Sequence, residues 1–202
     1  MDFWSRFAGL YDVAEALNGD VYREMTALCE RLVPRGARVL DCAAGTGELS
    51  LAAAKKAASV LCTDNSPEML KVAEKKAKKR GFENISFERA NIFHLDCKDE
   101  EFDVVIAGNV LHLLDDPEAA LKELCRVTKS GGRILLPTFT LKKKLAITDF
   151  MLKVYKKMGF DPSTEYSPKS YVEMLKKANC SRVKAKLIRG LIPCCFAVII
   201  KD

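Results

Sequence analysis

The stretch VLDCAAGTGELS, residues 39–50, ends an apolar run on Asp41 and then strings together Ala43, Ala44, Gly45, Thr46 and Gly47 before Glu48. Small residues between an apolar run and a helix-like segment leave backbone amides bare, which lets a nucleotide-type cofactor approach the chain closely. A dinucleotide loop uses G-x-G-x-x-G so that amides and a helix N-terminus face phosphates. Here the first and third glycine places are not both filled, and the carboxylates of Asp41 and Glu48 bracket the loop. That charge pattern repels a pyrophosphate and favours a cofactor with a cationic amino acid end. Asp64 follows Gly45 by nineteen positions, where an acidic side chain at a strand end accepts hydrogen bonds from ribose hydroxyls. Capping of the TDNSPE turn is its alternative reading. His94 and His112 are the two histidines, the side chains that titrate naturally near neutrality. His112, in NVLHLLDD, is the candidate general base, or else a turn residue that packs and hydrogen-bonds locally. His94, in NIFHLD, reads as an exposed loop residue.

Elements that alternate along the chain must position these residues. Val21, Met25, Leu28 and Leu32 recur at helical spacing, so 20–33 is expected to be an amphipathic helix stopped by Pro34 and Gly36. RVLDC follows as a short buried strand, then the loop, then a helix to about Ala58. SVLCTD (59–64) is a second strand. Ser66 caps the next helix, with Pro67 in its first turn and Gly81 at its end. ISFERAN (85–91) and FDVVIAG (102–108) read as strands, the latter apolar enough for a sheet covered on both faces. Asp116 and Pro117 open a helix expected to run to the glycine stop at 131–132, and RILLPTF (133–139) is the fifth strand. Beyond Phe139, segment 144–158 sets Phe150, Met151, Val154, Tyr155 and Met158 on one helical face, and 168–178 is another helix. RVKAKLIRG and PCCFAVIIKD read as a terminal hairpin. Strands alternating with helices argue for an α/β fold with a doubly wound, mainly parallel sheet whose ligands bind at the carboxyl ends of the strands.

Composition bounds the possibilities. With 202 residues, 49% hydrophobic and 30% charged, the chain suits one compact domain over 1–202. The net charge of +6 comes mainly from lysines interleaved with apolar residues at helical spacing, the pattern of a solvated face rather than of a nucleic-acid site. The longest apolar run, LIPCCFAVII, is too short to span a bilayer and contains a proline. The opening MDFWSRFAGLYD lacks a basic segment followed by a continuous apolar one, so a cytoplasmic location is expected. Eight cysteines form no CxxC pair and no Cys/His ligand cluster, so reduced thiols acting as small hydrophobes are expected, with no metal.

S-adenosyl-L-methionine carries an ammonium and a sulfonium and no phosphate, which matches the loop's charge while keeping close backbone approach. VLDCAAGTGELS, VLCTDNSPEMLKVAEKKA, RANIFHLD and FDVVIAGNVLHLLDDPEAALKELCRVTKSGGRILL together resemble the successive motifs of class I S-adenosylmethionine-dependent methyltransferases. The likeness is strong over about 36–139. The A-x-G-T-G loop and the FAGLYD opening are most similar to the ubiquinone/menaquinone biosynthesis methyltransferase group. The resemblance implies a Rossmann-like, mainly parallel seven-stranded sheet with an antiparallel C-terminal hairpin. It implies that Asp41, Ala43, Gly45, Thr46 and Gly47 line the methionine end of the cofactor and that Asp64 holds the ribose, with Asn65 beside it. Asn91, where the family often has Asp, would meet the adenine amino group, with the Ile92 amide at the ring nitrogen. Gly108 and Asn109 would approach the amino acid part and the acceptor, and Tyr11 would close the site, making 1–18 a lid. The substrate side is expected at the 140–166 insertion.

A sulfonium methyl is already activated, so transfer needs alignment in a site closed to water, and a base only where the acceptor is a hydroxyl, thiol or acidic carbon. The sequence therefore points to methyl transfer to a small-molecule acceptor, with a hydrophobic one fitting the 144–158 face. Three alternatives stand beside it. An RNA methyltransferase would show salt-sensitive nucleic-acid affinity. A nicotinamide-dependent oxidoreductase would bind NADH instead. A methyltransferase-like binding subunit would take the cofactor without turnover.

Overall fold

The computed structural model describes residues 18–140, 164–177 and 182–202. Tyr11, most of the expected lid and insertion, and the 144–158 face lie outside the described residues. Strands β1 (Arg38–Cys42), β2 (Ser59–Asp64), β3 (Ile85–Arg89), β4 (Phe102–Ile106), β5 (Thr128–Phe139), β6 (Arg182–Ile188) and β7 (Cys194–Ile200) form a sheet in the order β3-β2-β1-β4-β5-β7-β6. The pairs among β1 to β5 are parallel, while β7 runs antiparallel to both β5 and β6. This is the Rossmann-like α/β fold with its antiparallel hairpin. The order reverses between β1 and β4, so the loops leaving these two strands part in opposite directions and open a crevice.

Both faces of the sheet are covered, as the unbroken apolar strands require. Successive residues alternate between two cores: Leu40, Val105, Ile134 and Leu136 face one, Val39, Val104, Ile106 and Leu135 the other. Helix α1 (Gly19–Leu32) buries Val21, Met25, Leu28 and Cys29 in the second core. It shares that face with α2 (Glu48–Ala54). Helix α3 (Pro67–Lys79) packs Leu70 and Ala73 on Cys62 of β2. Helices α4 (Pro117–Val127) and α5 (Pro168–Lys177) bury Leu121, Leu124, Tyr171 and Leu175 on the opposite face. The expected caps form: Ser66 Oγ accepts from the Met69 amide and Asp116 Oδ1 from the Ala119 amide.

Two helices stop short of the expected boundaries. Helix α2 ends at Ala54 because the following backbone bonds elsewhere: Lys56 O accepts from Gly36 N, and Ala58 N donates to Ala37 O. Helix α4 ends at Val127, not at the glycines, because Thr128 takes an extended conformation, donates its hydroxyl to Leu124 O and pairs with Phe102. The glycines fall inside β5, where its register against β4 shifts between the Phe102–Thr128 and Val104–Arg133 pairs. Cysteine chemistry also departs from expectation. Cys29, Cys42, Cys62, Cys97, Cys194 and Cys195 are free, but Cys125 is disulfide-bonded. The expectation of reduced thiols rested on the lack of an export signal and of close cysteine pairs, and neither reports proximity across the fold. No helix among the described residues is long and apolar enough to cross a membrane.

Candidate active site

A cleft of about 380 Å³ opens at the carboxyl ends of β1, β2 and β4, where the strand order reverses. Its floor is the loop after β1. Ala43 and Gly45 both take left-handed backbone conformations there, with φ of 52° and 56°. The loop is tied to β2 by Ala44 N donating to Thr63 O at 2.9 Å and Gly45 N donating to Asp64 Oδ2 at 2.8 Å. Asp64 Oδ1 also accepts from Ser66 N at 2.8 Å. Asp64 thus organises the turn, as its capping reading expects, and also lines the cleft.

Of the residues singled out in the sequence, Ala43, Gly45, Thr46, Asp64, Asn65, Asn91, Ile92, Gly108 and Asn109 are brought together around the cleft. Asn91 Oδ1 accepts from Phe93 N, and the Asn65 carbonyl accepts from Arg89 Nε. Three residues stand elsewhere. Gly47 is a packing position: its φ is 83° and a Cβ there would meet Ala73 Cβ at 2.8 Å, so it lets α3 close on the start of α2. Asp41 lies beneath the loop, 1% exposed, and does not line the cleft. Its Oδ2 accepts from Ser50 Oγ at 2.6 Å, while Oδ1 has no hydrogen-bond partner. Burial, opposed by the Ser50 bond and reinforced by the charge of Asp64, pushes its carboxyl up to about 7. His112, on the short 3₁₀ turn Leu111–Leu113, is the third; its neighbours Leu113 and Leu114 line the cleft, but its own ring turns to β5. There Nδ1 meets Thr138 Oγ1 at 3.1 Å, and burial lowers the imidazole to about 4, so the ring is neutral at ordinary pH. His94 is exposed.

The loop presents less negative charge to the cleft than its residue types imply. Glu48 does line the cleft, but Lys76 Nζ sits 3.0 Å from Oε1, and Arg80 contacts both carboxylate oxygens at 3.2 Å. Lys76 also donates to Thr46 Oγ1 at 2.9 Å. Glu48 is therefore neutralised by α3, and Asp41 is pushed toward its neutral form, leaving Asp64 as the carboxylate that presents charge to a ligand. The amphipathic pattern of α1 also hid a role, because Tyr22 and Met25 line the cleft. Tyr22 is braced edge-on against Phe139 with ring centroids 5.7 Å apart.

The cleft suits S-adenosylmethionine on structural grounds. Asp64 presents its carboxylate to the cleft, and Asn109, in a left-handed conformation with φ of 53°, leaves a buried Oδ1 without a partner at the cleft wall. Gly108 keeps the wall close, since a Cβ there would meet Leu49 Cδ1 at 2.5 Å. Among the described residues no three His, Cys, Asp or Glu side chains gather as a metal-ligand set.

A family model for the methyltransferase domain matches residues 34–179. The chain belongs to that family and, within it, to the class I S-adenosylmethionine-dependent methyltransferases. It is 42% identical over 106 residues to the ubiquinone/menaquinone biosynthesis C-methyltransferase UbiE of Bdellovibrio bacteriovorus, covering 52% of this chain and 45% of that protein. The UbiE of Zymomonas mobilis is 29% identical over 214 residues, covering 94% of this chain and 87% of the relative. The chain spans only 38–45% of the length of the curated relatives it matches at 41–42% identity. The crystal structure of a SAM-dependent methyltransferase from Aquifex aeolicus superposes with a TM-score of 0.72 at 20% identity, covering 99% of this chain and 100% of that one.

Proposed function

We propose that this chain transfers a methyl group from S-adenosylmethionine to a small-molecule acceptor. The observation that carries the reading is a cleft with two unlike walls at the strand-order reversal: a polar one of loop amides and Asp64, and an apolar one of Phe93, Leu113 and Leu114. Bound in this cleft, S-adenosylmethionine supplies a methyl group already activated by its sulfonium. Asp64 accepts hydrogen bonds from the ribose hydroxyls, Asn65 stands beside it, and Asn91 and the Ile92 amide serve the adenine. The loop Ala43–Thr46, with Gly108 and Asn109, takes the amino acid end. Asp41 acts from beneath through Ser50 rather than by lining the cleft, and Gly47 acts by packing.

For an acceptor with an ionisable X–H bond, His112 would take the proton only if its ring reached the cleft, which Leu113 and Leu114 line in its place while Nδ1 meets Thr138 Oγ1. The cofactor would supply the methyl and its thioether leaving group, and the cleft residues would serve to align the acceptor with it. The apolar wall excludes water and favours a hydrophobic acceptor. Because two relatives are ubiquinone/menaquinone biosynthesis C-methyltransferases, intermediates of quinone biosynthesis are the first candidates. The test is incubation with labelled methyl donor and a panel of such acceptors and extract metabolites. Label transfer to an organic acceptor supports the reading. Cofactor binding with no transfer to any acceptor favours a binding subunit, and transfer only to RNA removes the small-molecule assignment.

A further inference from the structure

The cleft residues Asn91, Ile92 and Phe93 belong to the connection between β3 and β4, residues 90–101, which has no helix or strand of its own beyond an Asn91–His94 bridge. Its near end is tied to β2 by Ala90 N donating to Asp64 O at 3.2 Å. Further along, it hangs on two side chains of α4. Glu123 Oε1 accepts from Leu95 N at 2.7 Å. Arg126 Nη2 donates to Leu95 O at 3.0 Å, and Nη1 donates to Cys97 O at 2.8 Å and to Asp99 Oδ1 at 2.7 Å. Nη2 and Nε both donate to the Glu123 carboxylate at 2.8 Å, so every N–H of the guanidinium is used. Buried Leu95 is thus gripped by its amide and its carbonyl. The turn before it is closed on itself, with His94 N donating to Asn91 O at 2.9 Å and Phe93 N to Asn91 Oδ1 at 3.1 Å. A closed turn moves as a unit, so the place of Leu95 decides the place of Asn91. The Phe93 bond also fixes the Asn91 amide, because turning it over would set Nδ2 against the Phe93 N–H.

We infer that Arg126, with Glu123, is a positioning residue for the adenine side of the cleft: its grip on Leu95 and Cys97 holds Asn91 with Oδ1 as a fixed acceptor, which selects an amino-bearing purine over its oxo counterpart. An amino group donates to Oδ1, whereas an oxo group sets acceptor against acceptor. The purine preference rests on the proposed placement of adenine at Asn91, whereas the grip on the turn does not. A lysine cannot replace this arginine, since a single ammonium lacks the planar fork that spans two carbonyls and two carboxylates.

The experiment compares the full chain with Arg126→Lys in two measurements. Amide hydrogen exchange of the ligand-free proteins is expected to be faster in the variant at Phe93, His94 and Leu95, by roughly fivefold or more, and unchanged in β1 and α2. Titration calorimetry is expected to show the wild-type chain preferring S-adenosylhomocysteine to S-inosylhomocysteine by roughly tenfold or more, and the variant losing most of that preference. Lys129→Met breaks the ion pair with Asp103, at the end of β4 away from the cleft, and is expected to lower Tm while keeping the preference. A folded Arg126→Lys protein with wild-type exchange at the three amides overturns the inference, as does faster exchange with the preference intact. Absence of S-adenosylhomocysteine binding to the wild-type chain removes the cofactor assignment, and the exchange measurement then still decides whether Arg126 holds this side of the cleft.

Discussion

Asp64 and Glu48, on the wall of the cleft built from the loops after β1 and β2, are both held in place: by the backbone amides of Gly45 and Ser66 for the first, by Lys76 and Arg80 for the second. Asn109, on the wall that follows β4, leaves a buried Oδ1 unpartnered beside apolar Leu113 and Leu114. The first wall is organised before any ligand arrives, so binding there has little ordering to offset. The second keeps an unsatisfied acceptor in a desolvated setting, which is costly unless a ligand meets it. Each wall also covers one titratable group held near neutrality by burial, Asp41 and His112.

The comparison breaks most visibly at His112. If it serves the acceptor alone, His112→Ala lowers turnover by roughly 10²–10⁴-fold with cofactor affinity unchanged. Because burial lowers its imidazole to about 4, the wild-type rate should stay flat well below the ordinary histidine range and fall only near pH 4. An acid limb near the ordinary value of 6.5, or equal loss of cofactor binding, contradicts this assignment.

Asp41 tests the other wall from beneath. Its folded pKa of about 7 lies above the unfolded value near 3.8, so its contribution to stability is fully present below about pH 4, declines as pH rises toward 7 and is constant above. Melting curves should therefore find Asp41→Asn gaining on wild type across that window, by at most about 4 kcal/mol. A difference that does not vary with pH places the buried proton elsewhere.

Gly47→Ala adds a Cβ in a left-handed conformation against the Ala73 methyl, for a loss of about 2–3 kcal/mol. Calorimetry should record a fall of roughly 4–12 °C in Tm. An unchanged Tm means that α3 does not close on this loop. The smallest effect is expected at Asp64→Ala, which removes a charge-assisted acceptor for on the order of 1.5–3 kcal/mol of cofactor affinity, more than tenfold in Kd. The same Kd in titration calorimetry would leave Asp64 with its turn-organising role alone.

Much of the fold was legible because its signals are local. Apolar runs bounded by turn residues marked all seven strands, and Ser66-Pro67 and Asp116-Pro117 announced helix starts that formed as expected. The site was legible as a neighbourhood: strand ends carry the loop, Asp64, Asn91 and Asn109 to one cleft because a parallel sheet gathers its carboxyl ends. Helix ends were less legible. Thr128 leaves α4 because a β4 residue is there to pair with, and nothing between 117 and 132 announces that partner.

The sequence by itself determined which segments are strands and helices, the alternation that winds them into one sheet, and the small-residue loop at the sheet's centre, since periodicity and turn chemistry act over a few residues. Only the tertiary structure decided the electrostatics. Glu48 is neutralised by cations 28 and 32 positions away, Asp41 is pushed up by burial beneath its own loop, and His112 is lowered and turned onto Thr138, 26 positions on. Charge and protonation depend on burial and on partners brought together from distant parts of the chain, and those distances exist only once the chain has folded.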